Sequence, residues 1–164
     1  MNKDLVKRAK QIVAQIKYIT IASVTPDGKP WNSPVFTAYD ENFNFYWNSW
    51  TENQHSINVA NLPQVFLVIY DSTSAEGTGQ GVYIEATVEV VTDKEEIESP
   101  RLLMQARKDK LSSKLRSADE FLGDYPRRVY KAIPKRIWMN GEGAVNGNYV
   151  DTRVELDFAE FTKK

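Results

Sequence analysis

One short polar segment holds the side chains best suited to bind an anion. His55, the only histidine of the chain, lies among Asn53, Gln54 and Ser56, and all four side chains are of types that can form hydrogen bonds. The segment follows a strand pattern and begins a short helical pattern that ends before Pro63. Free backbone N–H groups and the helix dipole favour a negative group at such a position. We therefore expect an anion-binding cradle around His55, the alternative being a surface or capping histidine.

The rest of the sequence contains no recognisable catalytic group. Cys is absent, which excludes disulfides, thiolate nucleophiles and Cys-based metal sites. One His with scattered carboxylates is a poor metal-binding pattern, and no Gly-x-Ser-x-Gly motif presents a serine nucleophile. The Gly-rich segment 77–81 lacks the Lys-Ser/Thr of a nucleotide-binding loop, so we interpret it as a flexible connector. We assign no catalytic residue and no metal ligand.

Composition and charge narrow the class of partner. The 164 residues are 41% hydrophobic and carry a net charge of −1, which suits one domain over residues 1–164. This balance gives no reason to expect nucleic acid or a membrane as partner, and no apolar run could span a bilayer. The basic run from Arg101 to Arg116 lacks interleaved aromatic residues, so we interpret it as a solvated helix face. Because no signal-peptide stretch follows Met1, a cytoplasmic location is the simplest interpretation.

Alternation of apolar and polar residues between turn signals predicts antiparallel strands that position the polar segment. We expect strands at residues 18–24, 31–39, 43–49, 65–71, 81–92, 128–139 and 149–158, and helices at 5–16, 53–61, 94–110 and 117–123. Asn140-Gly141 and Asn146-Gly147 are both typical of hairpin turns. Six or seven strands with inserted helices indicate an antiparallel barrel with helical additions.

Individual positions make sharper predictions about these strands. Pro34 cannot donate a ladder hydrogen bond, so it predicts a sheet edge, a bulge or a place where another group meets the backbone. Trp47 alternates with core residues and should be buried, whereas Trp50 ends its strand and is free to line a pocket. Residues 65–71 are nearly all apolar, as in a strand buried on both faces.

A set of short motifs in a fixed order is the most specific signal in the chain. The motifs are Ile21-Ala-Ser-Val-Thr-Pro-Asp-Gly-Lys-Pro30, Ser33-Pro34-Val35, Phe45-Tyr-Trp-Asn-Ser49, Asn53-Gln-His55, Asn61-Leu-Pro-Gln-Val65 and Val82-Tyr-Ile-Glu-Ala86. Together they resemble the pyridoxamine 5′-phosphate oxidase-like, FMN-binding split-barrel family, over about residues 16–97 and again near 130–139. The resemblance implies a mainly β chain folded as a six-stranded antiparallel split β-barrel with helical additions. It also implies a homodimer with FMN in the groove between protomers.

The resemblance implies which residues would hold the flavin. Ser33, Pro34 and Val35 would run past the flavin ring, which gives a reason for the proline within that strand. Ser49 and Trp50 would lie near the ribityl chain and the phosphate.

The phosphate end of the implied site departs from the family pattern. His55 stands where many members carry a phosphate-binding Lys, and Asn53 stands where many carry Ser; Ser56 completes the predicted set. Trp138 resembles the late-strand tryptophan that reaches the flavin from the partner subunit. Segment 35–39 has no basic residue, and the Arg-x-His substrate motif is missing. The chain therefore resembles a relative of unassigned substrate and not the vitamin B6 oxidase itself.

Three classes of function follow from the resemblance. The first is an FMN-dependent oxidoreductase or reductase with a small-molecule substrate or redox partner, and a deazaflavin in place of FMN is a variant of it. The second is a non-catalytic module that binds flavin or haem for sensing, storage or stress protection. The third is a dimer whose groove has lost its cofactor.

Overall fold

Alternating strands of this chain build one curled antiparallel sheet with helices packed on it. The computed structural model describes residues 2–108, 114–146 and 148–163. In chain order its elements are α1 (Asn2–Gln15), β1 (Tyr18–Val24), β2 (Pro30–Phe36), β3 (Ala38–Tyr39), β4 (Phe45–Trp50), α2 (Gln54–Asn61), β5 (Gln64–Tyr70), β6 (Gly81–Val91), α3 (Lys94–Ala106), a 3₁₀ helix (Ala118–Phe121), β7 (Arg127–Val145), β8 (Asn148–Glu155) and α4 (Phe158–Thr162).

The strands form a single sheet in the order β2-β1-β5-β6-β7-β4-β3, and β8 pairs with β7. Every pairing is antiparallel, and the ladder shifts register between Glu85 and Ala86 where β6 meets β7. The predicted mainly β split barrel with helical additions is confirmed. The described part has eight strands because the predicted second strand is interrupted at Thr37, whose N–H donates to the Lys17 carbonyl oxygen at 2.9 Å.

Two apolar clusters hold the helices on opposite faces of β4 and β7. Trp47 is fully buried, as predicted, and belongs to the cluster that includes Ala9 of α1. Tyr46, the neighbouring residue, faces the other way and packs with Ile97 and Met104 of α3. Each large side chain buried in this way stabilises the fold by about 1.5–3 kcal/mol.

Strand β5 is buried on one face only, contrary to the prediction. Val65, Leu67 and Ile69 face the core, whereas Phe66 and Tyr70 are 39% and 48% exposed. The second face is bare because α1 covers only the inner side of the sheet. A core on both sides of β5 therefore does not explain why this strand is apolar on both faces.

The Asn140-Gly141 pair lies inside β7 and is not a turn, so that prediction was wrong. A Cβ atom on Gly141 would collide with the side chain of Val154 on β8, which explains the glycine by close strand approach. The turn between β7 and β8 instead contains Asn146, with φ at 52°, while Gly147 lies outside the described residues.

The ends of two predicted elements also differ. The last strand stops at Glu155 and not at residue 158, because Asp157 caps the short helix α4 with bonds to the N–H groups of Ala159 and Glu160. Helix α3 ends at Ala106, and its C-cap residue Arg107 donates through Nη2 to the carbonyl oxygens of Val13 in α1 and of Ile16 just beyond it.

Candidate functional site

A cavity of about 750 Å³ opens between the start of β1, strand β2, the end of β4 and helix α3. This volume lies in the range of small-molecule sites, about 300–1,000 Å³. Five residues predicted from the sequence line it together: Pro34, Val35, Ser49, Asn53 and His55. The fold thus brings the end of β4 and the beginning of α2 against the edge strand β2.

Three of the other predicted residues lie beside the cavity and do not line it. Ser33 accepts a hydrogen bond from the Trp31 indole N–H at 2.9 Å on exposed β2. Ser56 is a buried residue of α2, with 2% of its surface exposed. Trp50 is 43% exposed at the end of β4.

Trp138 lies apart from the cavity within one chain. It sits opposite Tyr83 in the β6–β7 ladder and packs against Phe66, with ring centroids 6.0 Å apart. With Arg153, these side chains line a separate groove of about 390 Å³ on the exposed face of the sheet. The predicted approach of Trp138 to the flavin would be made across the interface with a second copy of the chain, and it stays a prediction.

His55 and Asn53 both bond to one hydroxyl at the cavity wall. The Ser49 oxygen accepts a bond from Asn53 Nδ2 at 2.6 Å and lies 2.8 Å from His55 Nε2. His55 is only 9% exposed, and burial lowers the pKa of its imidazole below 6.5. The ring is therefore neutral at pH 7, and its protonated form would be favoured by a nearby anion.

The N-terminus of α2 is open toward this wall. Asn53 occupies the N-cap position, but its side chain makes no capping hydrogen bond. Within the described chain, the backbone N–H groups of Gln54 and His55 have neither a backbone acceptor nor a side-chain cap. Two N–H donors at the positive end of a helix dipole are thus available to a ligand.

A basic wall, formed by Arg101, Lys108, Arg116 and Arg127, faces the cavity from the side of α3 and β7. None of the described lining residues carries a carboxylate. Glu98 pairs with Arg101, and Glu120 pairs with Arg116 at 2.8 Å, from outside the lining. The lining as a whole therefore favours an anionic ligand.

This arrangement corrects the interpretation of the basic run as a solvated face. Arg101 and Gln105 are four residues apart, so they share one face of α3, and Lys108 lines the same cavity just beyond the end of the helix. The buried Met104 anchors that face, and its sulfur accepts from Asn48 Nδ2 of β4 at 3.6 Å. Helical periodicity within the run could have identified these residues, but the place where the helix docks could not be read from it.

Neither a metal centre nor a membrane helix is found. In the described ranges, no three His, Asp or Glu side chains come together in a group that could hold a metal ion. Of the described helices, none is long and apolar enough to cross a membrane.

Solved structures share this fold at low sequence identity. A haem-binding protein of Mycobacterium smegmatis matches 96% of this chain with a TM-score of 0.69 and 17% identity; the chain spans 60% of that protein. HutZ, the haem storage protein of Vibrio cholerae, aligns with this chain at a TM-score of 0.66 and 17% identity. The alignment covers 81% of this chain and 92% of HutZ. An F420 reductase aligns with this chain at a TM-score of 0.59 and 19% identity. The alignment covers 78% of this chain and 94% of the reductase.

Comparison by sequence gives the family directly. No curated protein matches the chain at a significant level. The family profile described as pyridoxamine 5′-phosphate oxidase, by contrast, matches residues 5–140, from α1 through β7 as far as Asn140. Since this match includes most of the chain and every residue of the cavity lining, the protein belongs to the pyridoxamine 5′-phosphate oxidase family.

Proposed function

We propose that the protein binds FMN in the cavity beside α2 and acts as an FMN-dependent oxidoreductase or reductase. The observation that carries the proposal is the open N-terminus of α2, which faces a cavity of cofactor size. The N–H groups of Gln54 and His55 fit a phosphate. The absence of carboxylates from the described lining supports the same ligand class.

Strand β2 offers the flat part of the cofactor a suitable wall. It is an edge strand, which is one of the three alternatives predicted from Pro34, and Pro34 and Val35 line the cavity from it. Pro34 has no N–H that would remain unpaired against an apolar ring. When bound, FMN would supply hydride or electron transfer, while these residues orient it and exclude water.

His55 would contribute charge only when a ligand is present. Burial keeps its imidazole neutral in the ligand-free site, whereas a phosphate beside it would raise the pKa and favour the protonated ring. Phosphate binding is therefore coupled to proton uptake at His55.

A homodimer would complete the site. Phe66, Tyr70 and Trp138 lie on the bare face of the sheet, and two of them are exposed by more than a third. Apolar and aromatic side chains gathered on one face are typical of an interface. A second copy docked there would explain why β5 is apolar on both faces, and it would bring Trp138 toward the partner's cavity.

The haem and deazaflavin alternatives have separate support. Two similar structures are haem-binding or haem-storage proteins, and one is an F420 reductase. Haem requires an axial ligand, and the His55 Nε2 atom is already held by Ser49 at 2.8 Å. This contact favours a flavin over haem in the cavity. A non-catalytic flavin module fits the same geometry and is distinguished by its lack of turnover.

The test compares the binding of FMN with that of three other ligands. Purified ligand-free protein is titrated with FMN, with riboflavin, which lacks the phosphate, with coenzyme F420 and with haemin. We expect FMN to bind at least about tenfold more tightly than riboflavin, the scale of a charge-assisted hydrogen bond. Bound FMN should then be reduced and reoxidised by a donor and an acceptor. Equal affinity for FMN and riboflavin, or binding of haemin alone, would contradict the proposal.

A further inference from the structure

Helices α3 and α4 are capped by side chains, whereas α2 is not. Asp93 accepts bonds from two N–H groups in the first turn of α3, at 2.8 and 3.0 Å. Asp157 does the same for α4, at 2.9 and 3.4 Å. Asn53 precedes α2 and is of a type that caps helices as well as Asp does, yet it makes no such bond. Its failure to cap needs a local cause.

The backbone of Asn53 does not prevent capping. With φ at −65° and ψ at 142°, the residue already has the extended conformation of an N-cap residue. Only rotation of the side chain separates Asn53 from a capping position. That rotation is opposed by Ser49, whose oxygen holds Asn53 Nδ2 at 2.6 Å.

Ser49 is well placed to hold this bond. It is 5% exposed and lies on β4, so its position is fixed by the sheet and water has little access to it. The same oxygen lies 2.8 Å from His55 Nε2, which keeps the imidazole beside the start of α2. One hydroxyl therefore orients both polar side chains that border the open helix end.

The first-turn N–H groups of α2 can serve either an internal cap or an external anion. We propose that Ser49 is a positioning residue that holds Asn53 away from its own helix and so keeps the N-terminus of α2 open to the anionic group of the cavity ligand. The inference rests on the proposed function, because the cavity supplies the place for that ligand. It assigns to Ser49 a role in controlling access, separate from any direct contact with the ligand.

Two variants separate this role from direct contact. In Ser49→Ala, Asn53 is released and should cap α2, which weakens inorganic phosphate binding by about fivefold, the scale of one N-cap bond. In Ser49→Ala/Asn53→Ala, no capping side chain remains, so phosphate binding should return toward the wild-type level. Ser49→Thr keeps the hydroxyl and should bind as wild type does.

Ser23→Ala is the matched control. Ser23 is also 5% exposed, and its oxygen accepts from Asn58 on the same helix at 2.9 Å, away from the N-terminus. Inorganic phosphate is titrated into each ligand-free protein while the NMR signals of the Gln54 and His55 amides are followed. FMN affinity and thermal unfolding without ligand are measured on the same samples.

Each outcome decides the question. Weaker phosphate binding in Ser49→Ala, recovery in the double variant and little change in Ser23→Ala support the inference. Binding that is unchanged in Ser49→Ala, or lost equally in the double variant, overturns it even if wild type binds FMN. Ser49-dependent phosphate binding without FMN binding would retain the inference and refute the proposed function. Wild-type protein that binds neither ligand would refute both.

Discussion

Arg127 and Trp50 face each other across the β4–β7 ladder, and the guanidinium carbon lies 4.7 Å from the indole centroid. The exposed ring thus supports a cation that lines the cavity. Arg127 also lies within 3.5 Å of Asn48 Oδ1. Burial and the charge of Arg116 lower the pKa of Arg127, and the carboxylate of Glu120 opposes this effect.

Loss of this cation should weaken anion binding. In Arg127→Gln, we expect the affinity for FMN to fall by about 1–2 kcal/mol, because a charge-assisted contact to the ligand is removed. The salt dependence of binding should also become shallower. Lys135→Gln, an exposed substitution on the same strand, is the control and should leave both quantities unchanged. Equal losses in the two variants would contradict a specific role for Arg127.

FMN affinity should rise as pH falls toward the lowered pKa of His55 in the ligand-free protein. The pKa of His55 is lowered by burial, so the ligand-free ring takes up a proton only below its usual value near 6.5. An adjacent phosphate stabilises that proton, and affinity therefore increases toward low pH. The pH profile of His55→Gln gives the part of the change in affinity that comes from titration of the ligand itself. A wild-type pH profile that is identical to that of His55→Gln would exclude His55 from the site.

The same lowered pKa has the opposite consequence for stability without ligand. The unfolded chain binds a proton at His55 more readily than the folded chain does, so the contribution of His55 to stability is present above pH 6.5 and is lost as pH falls. This difference is measured by denaturant unfolding of wild type and His55→Gln between about pH 5 and 8, a range that spans the unperturbed histidine pKa of about 6.5. Parallel stability curves for the two proteins would contradict the expectation.

The bare face of β5 predicts self-association. Phe66→Arg places a charge among apolar side chains that a second copy would cover, so we expect the dimer of twice 18.8 kDa to dissociate. Sedimentation at micromolar concentration measures the mass. Leu102→Arg changes an equally apolar exposed residue on α3 and should not affect association. A wild-type monomer would remove the basis for a two-sided site.

Close approach of β8 predicts that Gly141→Ala destabilises the fold. The added Cβ would meet the Val154 side chain, and overpacking of this kind costs about 1–3 kcal/mol. In the control Gly79→Ala, the new Cβ would lie 3.9 Å from the nearest atom, in Ser74, and should change stability little. Thermal unfolding compares the two variants.

Local patterns in the sequence predicted the elements well where one physical effect dominates. Strand alternation placed Trp47 in the core. The missing N–H of Pro34 predicted a sheet edge, a bulge or a contact with another group, and β2 is an edge strand. The helix expected at residues 117–123 is present as the 3₁₀ helix, where Glu120 accepts a hydrogen bond from the Ser117 N–H. In each case the preference of one residue agrees with its tertiary surroundings.

Features that depend on docking between distant segments were missed. The basic wall arises because α3 packs its Met104 face on β4, which no local pattern specifies. The bare side of β5 follows from where α1 lies, and the apolar pattern alone cannot distinguish a second core from a surface for a partner. The unused cap at Asn53 depends on Ser49, four residues earlier on another element.

Pro34 has a consequence for aggregation. Strand β2 is an edge of the sheet, and an edge normally presents a complete row of N–H and C=O groups on which another chain can add a strand. The proline interrupts that row beside the cavity, so a neighbouring chain cannot extend the sheet there with a full ladder. The residue that borders the cavity thereby also protects the open edge, and the proposed dimer would form through the face of the sheet.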